Sequence, residues 1–136
     1  MPVARILLTK SFIDSHDRAI KTIAVALRDA AMEVILYDYE TSGDVVGVAI
    51  DEDVDVIGLS FMSGGQVDVT RAVTSELQAS GRSDIPVVVG GTIRPFDVQP
   101  LNEAGVQAIF RGGERLEAIV QRFRELAQIK HDRQLT

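Results

Sequence analysis

The sequence predicts an α/β domain in which helices cover both faces of a five-stranded parallel sheet. Short runs of apolar, β-branched residues alternate five times with segments of helical periodicity. The strand-like runs are continuously apolar, which is typical of parallel strands buried on both faces. A chain of 136 residues, 46% of them apolar, suits one domain. We therefore expect a flavodoxin-like, doubly wound sheet with strand order 2-1-3-4-5.

Five segments have the composition of buried strands. We predict strands at residues 3–9, 33–37, 55–60, 86–89 and 106–111. The fourth begins at Pro86, and proline is tolerated at the first position of a strand.

Each predicted strand is followed by a segment that favours a helix. We predict helices at residues 17–32, 41–50, 66–80, 98–104 and 114–128. In the first, apolar residues recur at i, i+3, i+4 and i+7 from Ile20, and Ser15 or Asp17 can cap its start. Gly81 ends the third helix, as glycine commonly does. The Val-rich second helix has the weakest pattern.

The chain divides into one domain and a short end segment. Residues 1–129 form the predicted domain, and residues 130–136 form a polar tail that we expect to fray. The first ten residues do not have the apolar length of a signal peptide, and no apolar run reaches the roughly 18 residues of a membrane helix. We expect a cytoplasmic protein.

Charge and cysteine content exclude several classes of function. The chain carries 14 Lys and Arg against 20 Asp and Glu, a formal charge of −6. Such an acidic chain is a poor ligand for nucleic acid or for anionic membranes, so neither is an expected partner. It has no cysteine, which excludes disulfides, thiolate metal sites and cysteine nucleophiles.

Three glycine pairs follow predicted strands. They are Gly64-Gly65, Gly90-Gly91 and Gly112-Gly113. In doubly wound sheets ligands bind outside the carboxyl ends of the strands, near the switch in strand order. Turn chemistry explains any single pair, but three pairs at one edge favour a groove lined with bare backbone.

The loop after the first strand contains a histidine beside a carboxylate. Asp14 lies two residues before His16, within reach of the second imidazole nitrogen, and Lys10 can neutralise Asp14. A carboxylate in that position fixes the tautomer of a metal-binding histidine. No second histidine or cysteine lies nearby, so a conventional zinc or copper site is excluded. One imidazole suits a metal held in a macrocycle, and both haem and corrinoid qualify.

Other motifs are weak or absent. No GxGxxG follows the first strand, and the chain has neither a GxxxxGK[ST] loop nor a nucleophile elbow. The acidic run at residues 51–53, together with Asp55, enters the third strand from the opposite edge. We interpret these carboxylates as a solvated helix end.

Three motifs, in order, resemble the signature of cobalamin-binding domains. Segment 14–19 (DSHDRA) resembles D-x-H-x-x-G, segment 60–62 (SFM) resembles S-x-L, and Gly90-Gly91 resembles the family's glycine pair. The likeness covers roughly residues 4 to 127, and is greatest to the stand-alone cobalamin-binding subunits of acyl-CoA mutases. It implies a flavodoxin-like fold of the cobalamin-binding-domain type.

The resemblance implies a role for each matching residue. His16 would be the lower cobalt ligand of a cobalamin bound base-off, Asp14 would bond the far side of its ring, and Lys10 would hold Asp14. Ser60 and the glycines would accommodate the displaced nucleotide tail. The implied cofactor-binding residues are Lys10, Asp14, Ser15, His16, Asp17, Arg18, Ala19, Ser60, Met62, Gly90, Gly91, Gly112 and Gly113.

Two positions depart from the family motifs. Ala19 replaces the glycine of D-x-H-x-x-G, and its methyl group can crowd the cofactor tail. Met62 replaces the leucine of S-x-L, a swap that nearly conserves volume.

The resemblance implies the cofactor subunit of an adenosylcobalamin-dependent acyl-CoA mutase, an isomerase. The substrate barrel, the acyl-CoA and the residues for rearrangement would belong to a large partner subunit in a hetero-oligomer, with no catalytic residue on this chain. One alternative is a corrinoid protein for methyl transfer; such carriers usually have an extra helical segment before this domain, and the first strand here begins by Val3. The other alternative is a degenerate, non-catalytic scaffold module.

Overall fold

The computed structural model describes residues 3–135, and its five strands form one parallel sheet in the order β2-β1-β3-β4-β5. The strands are β1 Arg5–Ser11, β2 Glu33–Tyr39, β3 Val56–Phe61, β4 Val87–Gly91 and β5 Ala108–Phe110. The helices are α1 Arg18–Asp29, α2 Ser42–Asp51, α3 Gln66–Ala79, α4 Val98–Glu103 and α5 Leu116–Leu135, with a 3₁₀ turn at Pro95–Asp97. The predicted fold class and strand order are confirmed.

The sheet separates two apolar cores. Helices α2, α3 and α4 pack on one face, where Val45, Val73 and Leu101 are completely buried. Helices α1 and α5 pack on the other face through residues such as Leu27 and Phe123. Burial on both faces explains why the central strands have no polar alternation in the sequence.

Strand β1 lies at the switch in strand order. It pairs with β2 along its whole length and with β3 from Ile6 to Thr9. Because both neighbours are parallel to β1, the loops that follow β1 and β3 leave the same edge of the sheet. This edge contains the residues that the sequence analysis singled out.

Element boundaries differ from the sequence prediction by a few residues. Helix α1 ends at Asp29, and Ala31 adopts a positive φ of 69°, so the chain turns before Met32. Strand β2 continues to Tyr39 because β1 continues to Ser11, and the two residues are partners in the ladder.

The predicted tail is wrong for the residues that the structure describes. Helix α5 continues to Leu135 rather than ending at residue 128. Lys130 is 1% exposed, and its Nζ lies 3.0 Å from Oδ1 of Asp55. His131 Nε2 lies 2.8 Å from the same oxygen. A buried partner 75 residues away in the sequence therefore holds this segment in place.

The interpretation of Asp55 as part of a solvated helix end is also wrong. Asp55 is buried, and its second oxygen accepts a 2.8 Å hydrogen bond from the backbone N–H of Arg5. Asp51 and Glu52 are exposed, as expected. Asp53 is exposed but pairs with Arg82, which lowers the pKa of its carboxyl group. The carboxylate of Asp55 thus joins β1, β3 and α5 at the amino edge of the sheet.

Within the described residues, no helix is both long enough and apolar enough to cross a membrane.

The ion pair between Lys130 and Asp55 generates a stability prediction. We expect Lys130→Met to lower the free energy of unfolding by about 3 kcal/mol, because it leaves a buried carboxylate without its cation. Urea denaturation measures the change. The control is Lys21→Met, which removes an exposed cation paired with Asp17 at 2.9 Å. That variant should lose less than about 1 kcal/mol. Equal losses in the two variants would contradict the assignment.

Candidate functional site

The loop between β1 and α1 presents a histidine that is fixed at one ring nitrogen. His16 Nδ1 lies 2.8 Å from Oδ1 of Asp14, and the same oxygen accepts a 2.9 Å hydrogen bond from the backbone N–H of His16. The side chain of His16 is 62% exposed, whereas that of Asp14 is buried. With Nδ1 donating to the carboxylate, Nε2 is left as the nitrogen that can bind a metal.

Asp14 connects this loop to the loop after β3. Its second oxygen accepts a 3.3 Å hydrogen bond from the backbone N–H of Met62. Burial raises the pKa of Asp14, but hydrogen bonds from His16 and Met62 outweigh that effect and hold the pKa below its ordinary value. Asp14 is therefore an ionised acceptor at neutral pH.

Lys10 holds Asp14 through the main chain. Its Nζ donates to the carbonyl oxygen of Asp14 and lies 3.4 Å from a carboxylate oxygen of Asp38. The prediction that Lys10 neutralises the Asp14 carboxylate is therefore wrong, because the ammonium contacts only the main-chain oxygen of Asp14. The ion pair that Lys10 makes is with Asp38 on the neighbouring strand.

A groove of about 470 Å³ runs from the carboxyl edge along the α1 and α5 side of the sheet. Seven of the predicted site residues line it: Ala19, Ser60, Met62, Gly90, Gly91, Gly112 and Gly113. The remaining walls are mostly apolar side chains from the second core: Leu8, Ile20, Ile23, Val88, Phe110, Ile119 and Phe123. The fold thus combines one exposed imidazole with a neighbouring apolar groove.

The glycines of the groove serve different purposes. Gly91 has a φ of 112°, and a Cβ there would lie 2.1 Å from the carbonyl oxygen of Phe61, so the backbone itself requires glycine. A Cβ on Gly90 would lie 3.4 Å from the carbonyl oxygen of Phe110, at the edge of ordinary contact. Gly112 and Gly113 have open space around them. Gly64 and Gly65 do not line the groove, so the expectation of three glycine pairs in one groove is met by two.

Four predicted residues lie on or next to the histidine loop but outside the groove. Ser15 and Arg18 are exposed, and Asp17 forms an ion pair with Lys21 at 2.9 Å. Lys10 lies beneath the loop, in β1. These residues are close to His16 in the sequence, but none of them lines the groove.

Polar residues at the mouth of the groove were missed by the sequence analysis. Thr92, Arg111 and Glu114 line it. Glu114 accepts 2.9 Å hydrogen bonds from the backbone N–H groups of Arg111 and Gly112. Desolvation raises the pKa of Glu114, but the hydrogen bonds from these amides have the larger, opposite effect. The pKa of Glu114 is therefore below its ordinary value. Their positions directly beside two glycine pairs were the available signal.

No group of three histidine, aspartate or glutamate side chains forms a metal site in residues 3–135. A metal bound at His16 would therefore have to bring its other ligands with it. This is the chemistry of a metal in a macrocycle.

Comparisons with known proteins identify the family of the chain. Residues 4–120 match the family described as "B12 binding domain". The chain is 38% identical over 123 residues to the 2-hydroxyisobutanoyl-CoA mutase small subunit of Aquincola tertiaricarbonis, covering 90% of each chain. It is 39% identical over 125 residues to the pivalyl-CoA mutase small subunit of Xanthobacter autotrophicus, covering 91% of this chain and 84% of that one.

A large mutase subunit also contains a matching segment. The methylmalonyl-CoA mutase large subunit of Streptomyces virginiae is 41% identical over 110 residues, which are 80% of this chain and 15% of that one. In that relative the region similar to this chain is one part of a much longer protein.

Solved structures share the fold at low sequence identity. A cobalamin-binding protein from Desulfitobacterium hafniense has a TM-score of 0.75 and 18% identity, covering 91% of this chain and 59% of that one. A signal receiver domain from Vibrio parahaemolyticus has a TM-score of 0.74 and 14% identity, covering 98% and 97%. At these identities the likeness concerns the fold alone. The family match and the relatives above 30% identity show that the chain belongs to the B12-binding domain family.

Proposed function

We propose that this chain is the cobalamin-binding subunit of an adenosylcobalamin-dependent acyl-CoA mutase, with His16 as the lower cobalt ligand. One observation carries the proposal: an exposed imidazole, tethered at Nδ1 by a buried carboxylate, lies beside an apolar, glycine-lined groove. The likeness to mutase small subunits over nine-tenths of the chain supports the class of reaction.

The residues present fit a cobalamin bound base-off. A single imidazole suits cobalt in a corrin, since the macrocycle would bring its own nitrogen ligands to the metal. The groove of about 470 Å³ has apolar walls and bare backbone, which suit a flat aromatic base removed from water. Ser60 is the polar side chain of β3 within that wall.

Each residue then has a physical task. His16 would hold the cobalt, Asp14 would fix the imidazole tautomer, and the backbone N–H of Met62 would hold Asp14 in place. Gly90, Gly91, Gly112 and Gly113 would leave room for the nucleotide tail. The bound cofactor supplies an organic radical from its cobalt–carbon bond, and this chain supplies binding and orientation.

The acyl-CoA and the residues for rearrangement would belong to a large partner subunit, forming a hetero-oligomer. Two relatives are named as small subunits, and the large-subunit relative contains the same kind of domain within a longer chain. This pattern supports a cofactor-binding domain that acts together with a separate substrate-binding subunit or domain.

Replacement of His16 tests the proposed lower ligand. Purified protein is mixed with cob(II)alamin and examined by electron paramagnetic resonance, with and without ¹⁵N-labelled histidine. We expect the nitrogen splitting to change on labelling, because the imidazole would be the cobalt ligand, and this response to labelling to vanish in His16→Ala. The control His131→Ala removes the other histidine, which contacts Asp55, and should keep the splitting. A splitting that still responds to histidine labelling in His16→Ala would contradict the assignment.

Replacement of Ala19 tests whether the groove binds the nucleotide tail of the cofactor. Ala19 lines the groove at the start of α1. We expect Ala19→Gly to bind cobalamin several-fold more tightly and Ala19→Leu to bind at least about tenfold more weakly, since one or a few carbon atoms in an apolar pocket change affinity by this order. The measurement is a spectroscopic titration.

The matched control is Ala26→Gly, which makes the same change in α1 away from the groove and reports the cost of glycine in a helix. Equal affinities for wild type and both Ala19 variants would show that the tail does not occupy this groove.

Reconstitution with a large subunit tests the reaction class. We expect neither this chain nor a mutase large subunit encoded beside it to isomerise acyl-CoA alone, whereas the mixture with adenosylcobalamin should do so. The substrates to assay are 2-hydroxyisobutanoyl-, pivalyl- and methylmalonyl-CoA, and the mixture with His16→Ala is the control. A mixture that binds cobalamin but isomerises none of the three would contradict membership of these mutase types.

A further inference from the structure

The groove of the candidate site changes from apolar to polar between its floor and its mouth. Its floor is made of buried apolar side chains: Leu8, Val88, Ile119 and Phe123. At its mouth one wall is the loop between β5 and α5, residues 111–115, which is exposed. The charged side chains among the groove's lining residues are Arg111 and Glu114, both from this loop. A ligand that fills the groove therefore needs an apolar part at one end and polar or charged groups at the other.

The Glu114 carboxylate is held on this loop by main-chain amides. Its Oε2 accepts a 2.9 Å hydrogen bond from the N–H of Arg111, and its Oε1 accepts a 2.9 Å hydrogen bond from the N–H of Gly112. Both donors precede Glu114, whereas a side chain that caps a helix accepts from amides that follow it. The carboxylate therefore does not cap α5, which begins at Leu116, and is fixed instead at the wall of the groove.

Glu114 is an ionised acceptor with unused capacity. Desolvation raises its pKa, but the main-chain hydrogen bonds and the attraction of the Arg111 guanidinium hold the pKa below its ordinary value. A carboxylate has about four acceptor positions, and the two amides use two of them. The remaining positions can accept hydrogen bonds from hydroxyl groups of a ligand.

Arg111 is a cation of the same loop that forms no close ion pair. Its guanidinium attracts Glu114, but in the described part of the chain no carboxylate lies within 4.0 Å of it. The neighbouring Arg115, in contrast, lies 3.9 Å from Glu117. Arg111 can therefore donate to an anion at the mouth of the groove without first losing a salt bridge.

The nucleotide tail of a corrinoid has the same order of chemistry as the groove. It consists of an apolar base, a sugar with free hydroxyl groups, and a phosphate. We propose that Glu114 and Arg111 bind the sugar and the phosphate of that tail: Glu114 accepts a hydrogen bond from a sugar hydroxyl, and Arg111 pairs with the phosphate. This inference rests on the proposed function. It makes the two residues determinants of specificity for corrinoids that carry a complete tail.

Three corrinoids separate the parts of the tail. Cobinamide lacks the tail, cobinamide phosphate adds the phosphate, and cobalamin adds the sugar and the base. All three contain cobalt in the same corrin, so each is titrated in the cob(II) state and its binding is followed by absorbance. Wild-type protein should bind cobinamide most weakly and cobalamin most tightly.

The two variants should differ in which corrinoid they bind less well. We expect Glu114→Gln to bind cobalamin about tenfold more weakly, because an ionised acceptor of the sugar hydroxyl is lost, and to bind both cobinamides as wild type does. Arg111→Gln should bind cobalamin and cobinamide phosphate about 3- to 10-fold more weakly, with a smaller dependence on salt, and should bind cobinamide normally. Arg111→Lys keeps the charge and should recover most of the affinity.

The matched control is Glu117→Gln, which removes the same charge from the first turn of α5, outside the groove. It should bind all three corrinoids as wild type does. A melting curve of each variant shows whether the chain is folded.

The outcomes separate this inference from the proposed function. Wild-type protein that binds none of the three corrinoids would overturn the proposed function. If wild type binds cobalamin and the Glu114 and Arg111 variants bind it equally well, only the roles of these two residues are overturned. An equal loss for all three corrinoids also overturns those roles, because it reflects damage to the loop rather than a missing contact to the tail.

Discussion

The central position of β1 in the sheet is the constraint on which the histidine loop and the groove both depend. Because β1 is hydrogen-bonded to β2 on one side and β3 on the other, the loops that follow β1 and β3 leave the sheet together. Asp14 from one loop can then accept the backbone N–H of Met62 from the other. A local motif in the sequence becomes a fixed imidazole only because a second loop completes the hydrogen bonding of its carboxylate.

The periodicity of the chain was sufficient to predict the fold, and the spacing of Asp14 and His16 was sufficient to predict their contact. Other features depend on partners far away in the sequence. Lys130 looks like part of a polar tail until Asp55, 75 residues earlier, is seen to pair with it. Asp55 likewise looks like one of several solvated acids. Charge along a sequence does not reveal burial, since burial depends on what the tertiary structure places next to it.

Lys10 shows the same limit within the site itself. Its sequence position, four residues before Asp14, suggested a direct contact between ammonium and carboxylate. The ladder between β1 and β2 places Asp38 nearer, and the ammonium contacts only the main chain of Asp14. Lys10 at the carboxyl edge and Lys130 at the amino edge are thus both buried cations held by an aspartate from a neighbouring element.

Helix α5 connects these two edges, and its attachments are unequal. Near its start Ile119 and Phe123 form a wall of the groove, and it is joined to β5 through the unobstructed Gly112 and Gly113. At its far end Lys130 is fixed to Asp55. Lys130 follows Ile119 by 11 residues, which at about 1.5 Å per residue places it about 16 Å further along the helix. The wall of the groove is thus joined to the sheet by two glycines on one side and by a buried ion pair further along, so we expect it to adjust to a bulky ligand mainly at the glycine end.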